Sequence, residues 1–203
     1  MKKAQSHLIA MLCLCLVSGC SKAQPAKPDA KILILYLSRT NNTKAVAEII
    51  HGNVGGDLIA LELVTPYPED YKKIVDQVEK ENNSGFLPPL KTKIDIAKYD
   101  TIFIGFPTWG MQLPPPMKSF LNEYDLSGKT VIPFNTNAGY GIGSSFETVK
   151  QLAKNATVLE GFSIKGGKEK DGIMFVIEGD KKVTATSGIK KWLQKLKMLS
   201  TVK

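Results

Sequence analysis

Cysteine is almost absent from this chain. Among 203 residues there are three, Cys13, Cys15 and Cys20, all within the first twenty positions. Beyond Cys20 no thiol remains, which excludes a disulfide and a cysteine-based metal or redox centre from the rest of the chain. Histidine is equally scarce, with only His7 and His51, so a His-rich metal site is excluded as well. Redox chemistry in such a chain must come from a bound cofactor. No basic run is interleaved with aromatics, and a nucleic-acid ligand is not expected. Formal net charge is +8, and without Lys2 and Lys3 it is +6. That excess suits acidic partners, anionic lipid surfaces or plain solubility. Composition is otherwise that of one globular domain, 43% hydrophobic and 23% charged.

The N-terminus has a pattern of its own. Lys2 and Lys3 form a positive start, and residues 8–17 form an apolar run of about ten residues, the length of a secretory signal and short for a membrane span. The run ends in Val17-Ser18-Gly19-Cys20. Small residues before a cysteine resemble the bacterial lipoprotein cleavage box, which implies a mature chain that begins with a diacylated Cys20. Residues 1–19 are then a signal peptide. Residues 20–30, with Pro25 and Pro28 and no large apolar side chain, read as a lipidated tether. Residues 31–203 form the domain.

Within it, apolar strands alternate with amphipathic helices. Strands are expected at 31–37, 57–64, 100–106, 129–135 and 156–164. Helices are expected at 43–52, 69–82, after the prolines 114–116, and at 144–154. Residues 100–106 are almost continuously apolar, as in a central parallel strand buried on both faces. Ser187 is expected to cap a last helix with Ile189, Trp192, Leu193, Leu196 and Leu199 on its apolar side. Residues 165–185 carry an added strand or hairpin. The pattern is that of a doubly wound α/β fold, a five-stranded parallel sheet of order 2-1-3-4-5. Ligands of such sheets bind at the carboxyl ends of the strands, beside the switch between strands one and three.

The stretch from Leu33 to Thr43 organises the rest. An apolar strand breaks into Ser38-Arg39-Thr40-Asn41-Asn42-Thr43 and resumes as a helix. Unpaired N–H groups and the dipole at a helix start favour an anion, and three hydroxyls beside them suit a phosphate monoester. An ordinary N-cap with a polar loop has the same composition. The loop has neither the Gly-Lys-Ser/Thr nor the Gly-x-Gly-x-x-Gly of the common nucleotide sites. Two further loops should meet it: Pro107-Thr108-Trp109-Gly110-Met111-Gln112-Leu113, which brings an aromatic plane, and Thr136-Asn137-Ala138-Gly139-Tyr140-Gly141-Ile142-Gly143, which brings a glycine-rich backbone and a second aromatic. Hydroxyls and two aromatics together suit a phosphorylated, planar, heteroaromatic ligand.

These three loops, in this order, resemble those of the flavodoxin family, and more narrowly the flavodoxin-like bacterial lipoproteins. The carriers are Ser-Arg-Thr-Asn-Asn-Thr against the family's Ser/Thr-x-Thr-Gly-x-Thr, Gly105-Phe106-Pro107-Thr108-Trp109-Gly110, and Pro133-Phe134-Asn135-Thr136 leading to Gly139. The resemblance implies a flavodoxin-like fold and non-covalent flavin mononucleotide (FMN). Carried over, Ser38, Thr40, Asn41, Asn42 and Thr43 hold the phosphate. Thr108, Trp109 and Gly110 line one side of the flavin, and Asn137, Gly139 and Tyr140 the other. Arg39, Pro107, Thr136, Ala138 and Gly143 complete the lining. The chain departs from the family at Asn41, where a glycine is usual, and in having one Trp where many relatives have Trp-Trp-Gly.

Arg39 is expected to be exposed, either steering an anion or solvated. Trp192 is expected in the core, Lys190, Lys191, Lys195 and Lys197 on a solvated helix face, and His51 at a helix end that favours a cation. The resemblance implies an electron carrier that exchanges electrons with protein partners while tethered to a membrane outside the cytoplasm. Two other readings stay open, an FMN-dependent reductase of quinone-type acceptors fed by a nicotinamide cofactor, and a non-redox binding protein on the same fold. The lipid anchor has its own test. Cys20→Ser is expected to abolish lipid labelling and to release the protein from membranes, because stable anchoring needs at least two acyl chains. Membrane retention of the serine variant, with no lipid on the wild type, rules the anchor out.

Overall fold

The computed structural model describes residues 31–199; the signal peptide, Cys13, Cys15, Cys20 and the tether lie outside them. The elements are β1 (Ile32–Tyr36), α1 (Asn42–Val54), β2 (Asp57–Ala60), α2 (Tyr71–Ser84), β3 (Thr101–Pro107), α3 (Pro115–Glu123), β4 (Thr130–Asn137), α4 (Ser145–Leu152), β5 (Thr157–Val158), β6 (Phe162–Lys165) and α5 (Gly179–Lys195). The sheet order is β2-β1-β3-β4-β5 with every pairing parallel. This is the order expected for a doubly wound, flavodoxin-like sheet.

Alternation along the strands sorts the core into two layers, as the period of two requires. Leu33, Leu35, Ile102, Ile104, Phe106 and Val131 point to one side, where they meet Met117, Phe120 and Leu121 of α3 and Val149 of α4. Ile34, Phe103, Ile132 and Phe134 point to the other, against Val46 and Ile50 of α1 and Ile189, Trp192 and Leu193 of α5. With helices on both faces, β3 is buried along nearly its whole length. Trp192 is a core residue, its indole N–H donating to the Glu160 carbonyl at 2.9 Å. Lys190, Lys191, Lys195 and Lys197 are exposed.

The last core strand is broken. Val131 pairs with Val158 and Phe134 with Phe162, so three steps along β4 face four along the edge. The extra residue falls at 159–161, a bulge. Pro133 explains its place. Val131 accepts from Leu159 N–H on this side, so the next residue facing the edge is Pro133, which has no N–H to continue the ladder. β6 is the second part of that edge, and the added hairpin before the last helix is closed by an antiparallel bridge between Lys168 and Ile173.

The last helix differs from expectation at its start. It begins at Gly179, and Ser187 lies exposed within it and caps nothing. Gly179, Gly188 and three β-branched residues argue locally against helix. Burial of Ala185 in line with Ile189, Trp192 and Leu193 overrides them.

Gly105 controls how closely β3 approaches β4. A Cβ there would stand 2.0 Å from the ring of its register partner Phe134, which is fully buried. Gly105→Ala is therefore expected to cost about 1–3 kcal/mol, the usual range for overpacking. Urea unfolding should show a lower midpoint at unchanged slope.

Candidate functional site

Three loops leave the carboxyl ends of β1, β3 and β4 side by side, because the parallel registers of those strands end together at Tyr36, Gly105–Pro107 and Phe134–Thr136. In the first loop Asn41 has φ +60°, the left-handed conformation that glycine adopts most freely and that Asn tolerates better than most other residues. Its carbonyl accepts from Ala45 N–H at 2.9 Å and starts α1. Ser38 Oγ accepts from Lys44 N–H at 3.2 Å. The N–H groups of Arg39, Thr40, Asn41, Asn42 and Thr43 have no acceptor among the described residues. They form a cradle at a helix amino end, which fits an anion.

The side chains of this loop divide the work. Thr40 Oγ1 accepts from Asn42 Nδ2 at 2.9 Å, which leaves its own hydroxyl hydrogen free to donate. Thr43 and Thr136 share a buried hydrogen bond of 2.8 Å between their hydroxyls. Asn42 is buried and committed elsewhere: it donates to Met174 O at 2.6 Å and accepts from Val176 N–H at 3.1 Å. Arg39 is not the exposed side chain that was expected. Its Nε pairs with both oxygens of Glu169 at 2.7 and 3.0 Å, and its terminal nitrogens donate to the carbonyls of Pro68 and Glu69. A guanidinium with fixed donors suits such a three-way tie. It fastens the loop before α2 and the segment after β6 to the first loop.

The second loop turns at Gly110 and Met111, both with positive φ, inside a two-way bridge between Trp109 and Gln112. Such a turn joins strands with a native twist. Trp109 faces the cleft and is met edge-on by Tyr67, with ring centres 5.3 Å apart at 88°. The Tyr67 hydroxyl donates to the buried carboxylate of Glu81, which also accepts from Gln77 at 2.8 Å. Burial, and then this bond to Glu81, push the Tyr67 hydroxyl well above the ordinary tyrosine range. The phenol stays neutral and keeps donating.

Asn137 organises the third loop, its Oδ1 accepting from Gly139 N–H at 2.8 Å and Gly141 N–H at 3.3 Å. Tyr140 is 67% exposed, an aromatic ring held out into the cleft. Loops two and three are joined to each other. Ser144 N–H donates to Met111 O at 3.0 Å, and a Cβ on Gly143 would stand 1.9 Å from that same oxygen. Asn135 and Thr108 add a second tie: Asn135 Nδ2 donates to Thr108 Oγ1 at 3.0 Å, and Thr108 donates to Gly141 O at 3.1 Å.

One cleft of about 590 Å³ spans the three loops. Its wall includes Arg39, Thr40, Asn42 and Thr43 of the first, Pro107, Thr108, Trp109 and Gly110 of the second, and Thr136, Asn137, Ala138 and Tyr140 of the third. Ser38, Asn41, Gly139 and Gly143 are not on the wall; they shape the backbone behind it. Two further parts of the wall escaped the sequence. One is Tyr71, Ile74, Val75 and Val78 of α2, whose helical spacing was legible although the surface it faces was not. The other is 166–170, part of the stretch expected to carry an added strand or hairpin and not expected at the site. Polar donors at one end, two aromatics and an apolar helix stripe make a cleft that takes a planar, anionic small molecule.

A family model described as flavodoxin matches residues 31–179. Flavodoxin from Synechocystis sp. is 26% identical over 121 residues, 58% of each chain, so the match spans a little over half of that protein. A crystal structure of a Bacteroides eggerthii DSM 20697 protein described as a flavoprotein is 30% identical with a TM-score of 0.65. That likeness covers 82% of this chain and 97% of the other. A flavoprotein from Lactobacillus acidophilus NCFM, crystallised in complex with FMN, is 26% identical with a TM-score of 0.60, covering 66% of this chain and 93% of that one. With the fold, the three-loop cleft and these likenesses together, the chain belongs to the flavodoxin family.

Proposed function

We propose that this protein binds FMN non-covalently in the three-loop cleft and serves as an electron carrier, held at the cell envelope outside the cytoplasm by lipid on Cys20 and exchanging electrons with protein partners. The observation that carries the reading is the cleft itself. A helix-end cradle of free N–H groups and two aromatic side chains open into one cavity, and a relative with a comparable fold is known in complex with FMN.

Bound FMN accepts and returns electrons one or two at a time. The chain supplies the rest. The N–H groups of residues 39–43 and the Thr40 hydroxyl would hold the phosphate, and the Thr43–Thr136 pair stiffens the floor beneath it. Trp109 and Tyr140 would face the ring, one braced by Tyr67 and Glu81 and the other open to solvent. Aromatic walls that keep water from the ring would disfavour added negative charge on it. Met111 and Tyr140 at the mouth are 45% and 67% exposed, so a partner can approach that edge directly.

The phosphate assignment is tested at Thr40. Thr40→Ala is expected to weaken FMN by about 1.5–3 kcal/mol, the scale of a hydrogen bond to a charged group. Riboflavin, which lacks the phosphate, should bind the variant and the wild type alike. Fluorescence titrations of both ligands decide the point, and equal losses would place Thr40's effect on the fold. The ring assignment is tested in parallel. Trp109→Ala should weaken FMN more than Tyr140→Ala does, because the braced ring offers the larger and better-fixed surface; stacking adds roughly 0.5–1.5 kcal/mol beyond burial. Wild-type affinity in both variants would remove the flavin from between these loops. A carrier should also oxidise NADH or NADPH no faster than free FMN does, whereas sustained turnover would favour the reductase reading.

A further inference from the structure

The segment between β6 and α5 is not a loose connection. Gly166 N–H donates to Asn137 O at 2.8 Å, and Lys168 and Ile173 exchange backbone hydrogen bonds of 2.6 and 3.2 Å around a short turn at Glu169–Asp171. A Cβ on Gly167 would stand 1.9 Å from Met174 O, so the chain can double back only with glycine there. Arg39 grips Glu169, and Asn42 grips Met174 and Val176. The result is a strap fastened at both ends to the first loop, and its position 168 has little backbone freedom.

From that fixed position the Lys168 side chain reaches over the Tyr140 ring, with Nζ 5.6 Å from the ring centre. Asp171, three residues on, meets the same ammonium at 2.6 Å and aims it. The side chain is 32% exposed and lines the cleft. Asp171 and Tyr140 together favour its protonated form. Asp171 offsets part of its charge, and the other neighbours add to it rather than cancel it. Glu169 is taken up by Arg39, while Lys165, beside Gly139, and Lys170, on the wall, add positive charge to this side. Glu79 of α2 is the remaining acid on the wall.

We propose that Lys168 sets the reduction potential of the cofactor, its ammonium on the Tyr140 ring favouring the reduced flavin over the oxidised one. The inference rests on the FMN reading above. Its physical basis is charge. Reduction adds negative charge to the ring, and a cation held on the aromatic that faces it lowers the energy of that state. Lys168 is thus a potential-determining residue, opposed in sign to the effect of aromatic walls that shield the ring from water.

The test uses the full chain loaded with FMN and reduced anaerobically with dithionite against a redox dye of known potential. Lys168→Met is expected to lower the reduced-to-oxidised ratio at a given potential by about fivefold to tenfold, the Coulomb effect of a surface cation partly offset by Asp171. Lys168→Arg should restore the wild-type ratio. Asp171→Asn removes the offset and should raise the ratio. A structural role alone would not move the two variants in opposite directions. Unchanged ratios in Lys168→Met and Asp171→Asn with FMN bound overturn the proposal. If Lys168→Met does not hold FMN, Asp171→Asn alone decides. Weakened FMN with unchanged riboflavin affinity and an unchanged ratio in Lys168→Met would put the ammonium on the phosphate and overturn it too. A wild-type protein that takes up no FMN overturns the FMN reading itself, and this proposal with it.

Discussion

The seven-residue parallel register between β3 and β4 is the constraint on which the site depends. It is set in the interior, by Gly105 yielding its Cβ space to the Phe134 ring. It ends at Pro107 and Thr136, where two of the three loops begin. One residue of slip would turn every side chain of β4 to the opposite face. Asn135, which donates to the Phe106 carbonyl and the Thr108 hydroxyl, would then turn to the opposite face and lose both, and Thr136 would lose Thr43. Packing in the core and geometry at the cleft are therefore one specification.

The sheet order and the three principal loops could be read from the sequence because they follow from local signals. Continuous apolar strands, amphipathic helices and prolines at the start of α3 act over a few residues each. The match at 38–43 survived its departure at Asn41 because Asn adopts the left-handed backbone that the turn demands. The illegible parts share another cause: each depends on a contact between distant segments. Arg39 looks like a free loop cation until Glu169 is brought 130 residues back to it. The start of α5 is decided by Ala185 fitting the core against its neighbours' helix propensity. The α2 stripe is plainly apolar, yet only the tertiary arrangement turns it toward the cleft. The strap at 166–176 carries turn residues and charges, and nothing within it announces that Asn42 will bond its backbone.

The distribution of charge on the two sides of the cleft follows from this architecture. The Trp109 side is braced by a neutral phenol and a buried carboxylate, with the Tyr67 and Trp109 ring centres 5.3 Å apart. The Tyr140 side is open, and its cation is delivered by a strap that also fastens the first loop. A single segment thus links the anchoring of the anion end to the electrostatics of the aromatic end. Substitutions at Gly167 or Asn42 would act on both together, although neither residue is charged.

The shared bond from Ser144 to Met111, reinforced by the close seat of Gly143, has a consequence for how the cleft behaves when empty. Two loops that would each sample many shapes alone are coupled into a single mechanical unit, and its ordering entropy is settled when the chain folds. An arriving ligand then meets walls already in place, so little of its contact energy is diverted to arranging them. Release and recapture of the ligand can proceed without rebuilding the cleft each time.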